Sequence, residues 1–259
     1  MTYPSFDLSP LTAASGIETR FLSHEDPIRA HELEDIDALI LLSERFTKNS
    51  IPASGKLSVV ARFGVGYDTV DVEACTQNDI AVCITPDGVR RPVAVSILTL
   101  MLALTGKLLV KDRLTRLGPD GFAARNEHMG LGLVGRTLGS VGIGNIGAEM
   151  FRLAAPFGMK FIAHDPFADL SLASELGVDL VDLDTVFAQS DVISINCPLT
   201  PDTHHLVNTS RLSQMKPTAY LINTARGSIV DQVALTLALR NGSIAGAGLD
   251  VFEVEPTAA

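Results

Sequence analysis

Leu138-Gly139-Ser140-Val141-Gly142-Ile143-Gly144-Asn145-Ile146-Gly147 is a short apolar run that breaks into glycines, and Ala148 to Phe157 follows with helical spacing. A strand that feeds a turn and then a helix reads this way. Gly142 permits the tight turn, Gly144 lets a pyrophosphate approach the backbone, and Gly147 packs helix on strand. The start of that helix offers free N–H groups and the positive end of its dipole to phosphates. Glycine clusters arise by chance in a chain with 21 glycines, so the flanking residues decide the reading. Lys160-Phe161-Ile162-Ala163-His164-Asp165 reads as a second strand that ends in an acid, about twenty residues after the last glycine. A carboxylate there accepts both ribose hydroxyls of an adenosine and repels a 2′-phosphate, which favours NAD and disfavours NADP.

The same rhythm extends in both directions. Ahead of the turn, the alternation in Ile17–Leu22 predicts a first strand, and Glu25–Leu33 a helix. Strands at Ala38–Leu42, Leu57–Arg62 and Ile80–Ile84 follow, with a glycine turn at Gly64-Val65-Gly66 and helical spacing in Val70–Asn78. A helix from about Val93 to Leu117, with Pro92 at its start, carries too much apolar surface for one exposed face. It is expected to cross between domains or to pack against a second subunit. Beyond the turn come a helix at Leu183–Gln189, strands at Asp191–Asn196 and Ala219–Thr224, a helix at Gln232–Arg240 and a strand at Ala247–Phe252. Strands alternating with helices predict an α/β, doubly wound parallel sheet. Ligands of such sheets lie outside the carboxyl ends of the strands, where Cys197-Pro198, Thr224-Ala225-Arg226 and Asp250 fall.

Composition narrows the classes. A chain of 259 residues, 46% hydrophobic, is long enough for two domains with substantial cores. No apolar run long enough to cross a bilayer and no signal peptide is read from it, so the expected location is cytoplasmic. Cys75, Cys83 and Cys197 lack CxxC spacing and predict neither a disulfide framework nor a metal site. A formal charge of −10 argues against a nucleic-acid partner.

Arg62-Phe63-Gly64-Val65-Gly66-Tyr67-Asp68, Gly142 to Gly147, Asp165-Pro166, Cys197-Pro198-Leu199-Thr200, Met215-Lys216-Pro217, Asn223-Thr224-Ala225-Arg226-Gly227 and Leu249-Asp250-Val251-Phe252 resemble, in this order, the D-isomer-specific 2-hydroxyacid dehydrogenases. The phosphoglycerate, glyoxylate and hydroxypyruvate reductases are the nearest group. The resemblance implies an NAD-binding Rossmann domain over residues 93–259 and a smaller, flavodoxin-like α/β substrate domain over 1–92. It implies hydride transfer between a D-2-hydroxy acid and its 2-keto acid, in a homodimer that engages neither nucleic acid nor membrane. Arg62 and the backbone N–H groups of Val65 and Gly66 are then expected to bind the substrate, with the two N–H groups on its carboxylate. Arg226 clamps the carboxylate or carbonyl oxygen and stabilises the developing alkoxide. Glu255 orients a histidine and favours its charged form. Asn145 and Ile146 lie at the pyrophosphate, Asp250 at the nicotinamide end, and Cys197, Pro198 and Thr203 along the cofactor, with Pro166, Thr224 and Ala225 beside it.

The sequence also departs from that pattern. The family's histidine lies in a Pro-His-x-x-Gly stretch after the glutamate, and this sequence ends at Ala259. The expectation is a chain cut down at both ends, lacking the general acid, the C-terminal return helix and a strand ahead of Tyr3. Of the six histidines, none is placed by its surroundings to replace that acid, although His128 is on a loop of open position. Val95 stands where relatives often carry an acid, and Arg90-Arg91 adds charge close to the expected cleft. The competing readings are an NAD(H)-binding sensor of corepressor type, an inactive short form, and a protein for another nucleotide.

Overall fold

The computed structural model describes residues 7–22 and 26–255. The chain divides into two units, Met1–Pro86 and Asp87–Ala259. In the first, after the single turn α1 (Ser9–Thr12), strands β1 (Ala38–Leu41), β2 (Val59–Arg62) and β3 (Ala81–Ile84) form a parallel sheet in that order. Helix α2 (Val72–Gln77) makes the crossover from β2 to β3, and Asp71 caps it by accepting from Ala74 N–H at 2.9 Å. The register sets Leu39, Val60 and Val82 side by side, and Leu39, Leu41 and Val60 bury themselves with Leu33, Phe46 and Cys75.

Two expectations fail in this unit. Ile17–Leu22 alternates like a strand but joins no sheet; Arg20 is held instead by Asp35 at 2.7 Å and by the Glu32 carbonyl at 2.7 Å. An alternating pattern makes a strand only where a neighbour completes the ladder. The helix expected from Glu25 begins outside the described residues and survives as one 3₁₀ turn, Ala30–Glu32.

The second unit opens with α3 (Pro86–Thr105), α4 (Leu108–Arg116) and α5 (Pro119–Ala123). Then β4 (Thr137–Val141), α6 (Asn145–Ala154), β5 (Lys160–His164), α7 (Leu170–Glu175), β6 (Val178–Leu180) and α8 (Leu183–Gln189) build the first half of a wound sheet. The second half is β7 (Val192–Ile195), α9 (Thr209–Gln214), β8 (Tyr220–Asn223), α10 (Gln232–Arg240) and β9 (Gly246–Leu249). All six strands are parallel, in the order β6-β5-β4-β7-β8-β9. The winding therefore reverses between β4 and β7, the switch point at which such sheets bind ligands. One layer of core joins α3 and α6 to the sheet through Ile97, Met101, Met150 and Phe151; the other gathers Phe187, Ile193, Leu212 and Leu235.

The single helix expected over Val93–Leu117 is two. The first starts at Pro86, so Pro92 lies inside it, and it ends at Thr105, where Gly106 and Lys107 break the run with Lys107 at φ +57°. Pro92 is the seventh residue of this helix, past the first turn, so it removes one backbone hydrogen bond, the one an N–H there would give to the Gly88 carbonyl. At 20 residues and a mean hydropathy of 1.4, this helix is long and apolar enough by composition to span a bilayer, contrary to the sequence reading. Its Ala94, Ile97, Leu98 and Met101 are instead packed into the core of the wound unit.

Candidate active site

The glycine turn is built as its spacing requires. Gly142 has φ +99°, and a Cβ there would lie 2.9 Å from the Asn196 carbonyl carbon. A Cβ on Gly147 would come within 2.6 Å of the Gly142 oxygen, so both positions exclude a side chain. Gly144 is different, for a Cβ there would meet nothing within 4 Å. That open space lies at the N-cap of the ten-residue helix α6, which has no side-chain cap. Gly144 and Asn145 are exposed, while the Ile146 side chain packs on the core and leaves its N–H at the helix start. Behind the turn, Asn196 Nδ2 donates to Ser140 Oγ at 2.8 Å, and that hydroxyl donates to the Gly142 carbonyl. The turn is thus tied to the end of β7 by buried polar groups, which are costly to leave unpaired.

Asp165 follows β5 directly. Its Oδ2 accepts from Ile143 N–H at 3.0 Å and its Oδ1 from Phe167 N–H at 2.9 Å. Each oxygen keeps acceptor capacity for a diol. After β7, burial pushes the Cys197 thiol up to about 11, with the nearby Asp165 charge acting in the same direction, so the thiol is neutral at physiological pH. Pro198 is exposed beside it. Thr203 Oγ1 donates to the Pro198 carbonyl at 2.6 Å and accepts from Thr200 N–H at 2.7 Å, which makes this hydroxyl the lock of the turn.

At the end of β8 the buried Asn223 folds the next residues around itself. Its Oδ1 accepts from Ala225 N–H at 3.0 Å and its Nδ2 donates to the Arg226 carbonyl at 2.9 Å. The sequence reading had passed over this residue, although a polar side chain closing an apolar strand was the available signal. Arg226 is half-buried and donates to the Ala225 carbonyl at 2.8 Å. A Cβ on Gly227 would fall 1.9 Å from the Phe252 carbonyl carbon, so this glycine lets the loops after β8 and β9 touch. Asp250 N–H donates to the Asn223 carbonyl at 3.0 Å, and its carboxylate is exposed. Glu255 Oε1 accepts from Phe252 N–H at 2.7 Å. A further pair, His205 with Glu253, was not foreseen.

Arg62, Val65 and Gly66 belong to the first unit, at the carboxyl end of β2. Gly64 has φ +140°, donates to Thr85 Oγ1 at 2.8 Å and accepts from Thr85 N–H at 2.9 Å. The Arg62 guanidinium folds back onto the Phe63 carbonyl. Among the described residues the Val65 and Gly66 N–H groups have no acceptor, the condition for an anion-binding turn.

The model of the D-isomer specific 2-hydroxyacid dehydrogenase NAD binding domain matches residues 98–259. This chain belongs to that family. A glyoxylate reductase of Thermococcus onnurineus is 40% identical over 230 residues, which cover 87% of this chain and 69% of that protein. A D-3-phosphoglycerate dehydrogenase of Synechocystis is 38% identical over 223 residues, covering 86% of this chain and 40% of that one. Among solved structures, the D-lactate dehydrogenase from Aquifex aeolicus complexed with NAD and lactic acid superposes with a TM-score of 0.79 at 33% identity, over 87% of this chain and 67% of that one. A glyoxylate reductase from Paecilomyes thermophila gives 0.79 at 32%, over 87% and 70%.

For an NAD-binding dehydrogenase domain the donor set fits the cofactor: an open glycine at a helix start, two glycines that admit no Cβ, and a braced carboxylate at the next strand end. The Arg91 guanidinium donates at 2.8 Å to Glu149, which is nearly buried on α6, while the Arg91 side chain itself stays largely exposed. Glu255 has no histidine partner among the described residues. His164 Nδ1 lies 3.1 Å from the Val181 carbonyl, His128 closes the 3₁₀ segment Ala124–His128, and His204 stacks on His205 at 4.1 Å. His24 lies outside the described residues.

Proposed function

We propose that this chain reduces a small 2-keto acid such as glyoxylate or hydroxypyruvate to the D-2-hydroxy acid with NADH, and runs the reverse reaction with NAD. The reading is supported by the gathering of Asp165, Arg226, Asp250 and Glu255 at the carboxyl ends of one parallel sheet. Bound NADH supplies the hydride.

The chain's own residues do the rest. The N–H groups at the start of α6 hold the pyrophosphate, and Asp165 takes the ribose diol. A 2′-phosphate brought to that carboxylate meets like charge, so NADH is preferred over NADPH. Cys197, Pro198, Thr203, Thr224 and Ala225 line the cofactor, and Asp250 faces its nicotinamide end. Val65 and Gly66 N–H are assigned, with Arg62, to the substrate carboxylate. Arg226 polarises the carbonyl and stabilises the oxyanion formed as hydride arrives, a term that is large in a water-poor site. Glu255 would hold an imidazolium donor in its charged form; among the described residues no histidine meets it, so the proton that completes the hydroxyl is taken from water.

The exposed Val95, Leu102 and Leu109 of α3 and α4 are proposed as part of a two-fold dimer contact, in a cytoplasmic protein. A nucleotide sensor without chemistry is disfavoured, because Arg226 and Glu255 serve no purpose in it. Arg226→Ala tests the assignment. Keto-acid reduction should fall by about 10²-fold or more while NADH binding stays within a few-fold, the size expected for loss of an oxyanion donor. Reduction at the original rate contradicts the role.

A further inference from the structure

Three loops carry the residues assigned above: 196–206 after β7, 224–231 after β8 and 250–255 after β9. The first two are joined by backbone bonds between Val207 and Ile229 and between Asp231 and Val207, and His205 brings the third to them. His205 has φ +50°, an uncommon backbone for a residue with a side chain, and its N–H donates to the Ser228 carbonyl at 2.9 Å. That backbone turn carries its imidazole Nε2 onto Glu253 Oε1. The other oxygen of Glu253 accepts from Gln232 N–H at 3.3 Å, at the first residue of α10. Gln232 returns the contact, for its Oε1 accepts from Glu253 N–H at 3.2 Å. The Glu253 backbone in turn rests on Gly227, where no Cβ fits.

His205 therefore follows Thr203 closely, and Glu253 stands between Asp250 and Glu255. Without the imidazole, Glu253 retains only the helix-end contacts, and nothing else bonds the loop after β7 directly to the loop after β9 among the described residues. We propose that His205 is a positioning residue for the reaction: through Glu253 it fixes the loop that bears Asp250 and Glu255 against the loop that lines the cofactor. This rests on the assignment of Glu255 and Arg226 to the chemistry. The link sets where the Glu255 carboxylate sits when cofactor is bound, and small misplacements of such groups cost rate more than affinity.

The test compares the full chain with its His205→Ala, His205→Gln and Glu253→Gln variants, with Arg226→Ala as reference. In His205→Ala, kcat should fall about tenfold with KM for NADH within about twofold. Glutamine can donate to Glu253 from its amide, so His205→Gln should recover most of the rate. Amide exchange needs no turnover: with NAD bound, Phe252 and Glu253 N–H should exchange at least about tenfold faster in His205→Ala, with β7 and β8 unchanged. Unchanged kcat and unchanged exchange overturn the proposal. So does a rate loss that glutamine fails to restore and that accompanies loosening of the whole sheet. If His205→Ala does not fold, Glu253→Gln is read against the same criteria. If Arg226→Ala keeps full activity, the chemical assignment fails by itself, and the exchange at Phe252 and Glu253 still decides whether the link exists.

Discussion

At the scale of single residues, the glycines separate cofactor binding from stability. A Cβ on Gly144 would meet nothing within 4 Å, so Gly144→Ala should leave the melting temperature unchanged while weakening NADH binding, because the methyl takes the space of the pyrophosphate. A Cβ on Gly227 lands 1.9 Å from the Phe252 carbonyl carbon, so Gly227→Ala should destabilise by about 1–3 kcal/mol and loosen the loop that carries Glu255. Thermal melts and NADH fluorescence titrations on the two variants check both. Asp165 is braced by two N–H groups, so its loss removes a fixed acceptor. Asp165→Ala should raise KM for NADH about tenfold or more and shift preference toward NADPH. Equal KM values for the two cofactors in the unaltered chain would contradict the assignment. The glycines and Asp165 were legible in the sequence because their backbone demands leave a local signature. The His205–Glu253 pair was not, since folding alone brings these two distant residues together, whereas Asn223, whose partners lie two and three residues on, left a signal as the polar end of an apolar strand.

At the scale of elements, β7 has one end for ligand and one for stability. Asp191, just ahead of it, is buried; it accepts from Thr137 N–H at 2.9 Å and from Lys216 at 3.1 Å, with Arg136 at 3.5 Å. Burial pushes its carboxyl up, but the Thr137 N–H and the two cations outweigh that and hold it below the ordinary 3.8. The unfolded chain then binds the proton more readily than the folded one. The contribution to stability is present above the unfolded value and is lost as pH falls through the lower folded value. Asp191→Asn should flatten the acid limb of the stability curve below about pH 4, measured by urea melts. An unchanged limb would show that the cluster does not act this way.

Long, strongly patterned elements were readable: β4, β5, β7, β8 and α10 appear close to where the periodicity puts them. The sequence reading did not anticipate α7, β6 and α9. Ile17–Leu22 had the pattern but no partner strand among the described residues, and the break at Lys107 requires a left-handed residue that lysine does not announce.

At the scale of the whole molecule, the alternation of strand and helix was enough to predict a doubly wound parallel sheet with the candidate residues at strand ends, and the strand order of the structure adds the switch point. The proposed dimer belongs to this scale. Leu109 is 78% exposed on α4, and Leu109→Glu should convert a dimer to a monomer in sedimentation velocity, with NADH binding retained. A monomeric starting protein would remove that contact from the account.

The most direct measurement is NADH oxidation by the 259-residue chain with glyoxylate and with hydroxypyruvate, run beside Arg226→Ala. The account predicts keto-acid-dependent turnover, resolved above background even if slow, that disappears in the variant while NADH still binds. Turnover that is absent from both proteins despite NADH binding, or equal in both, would contradict it.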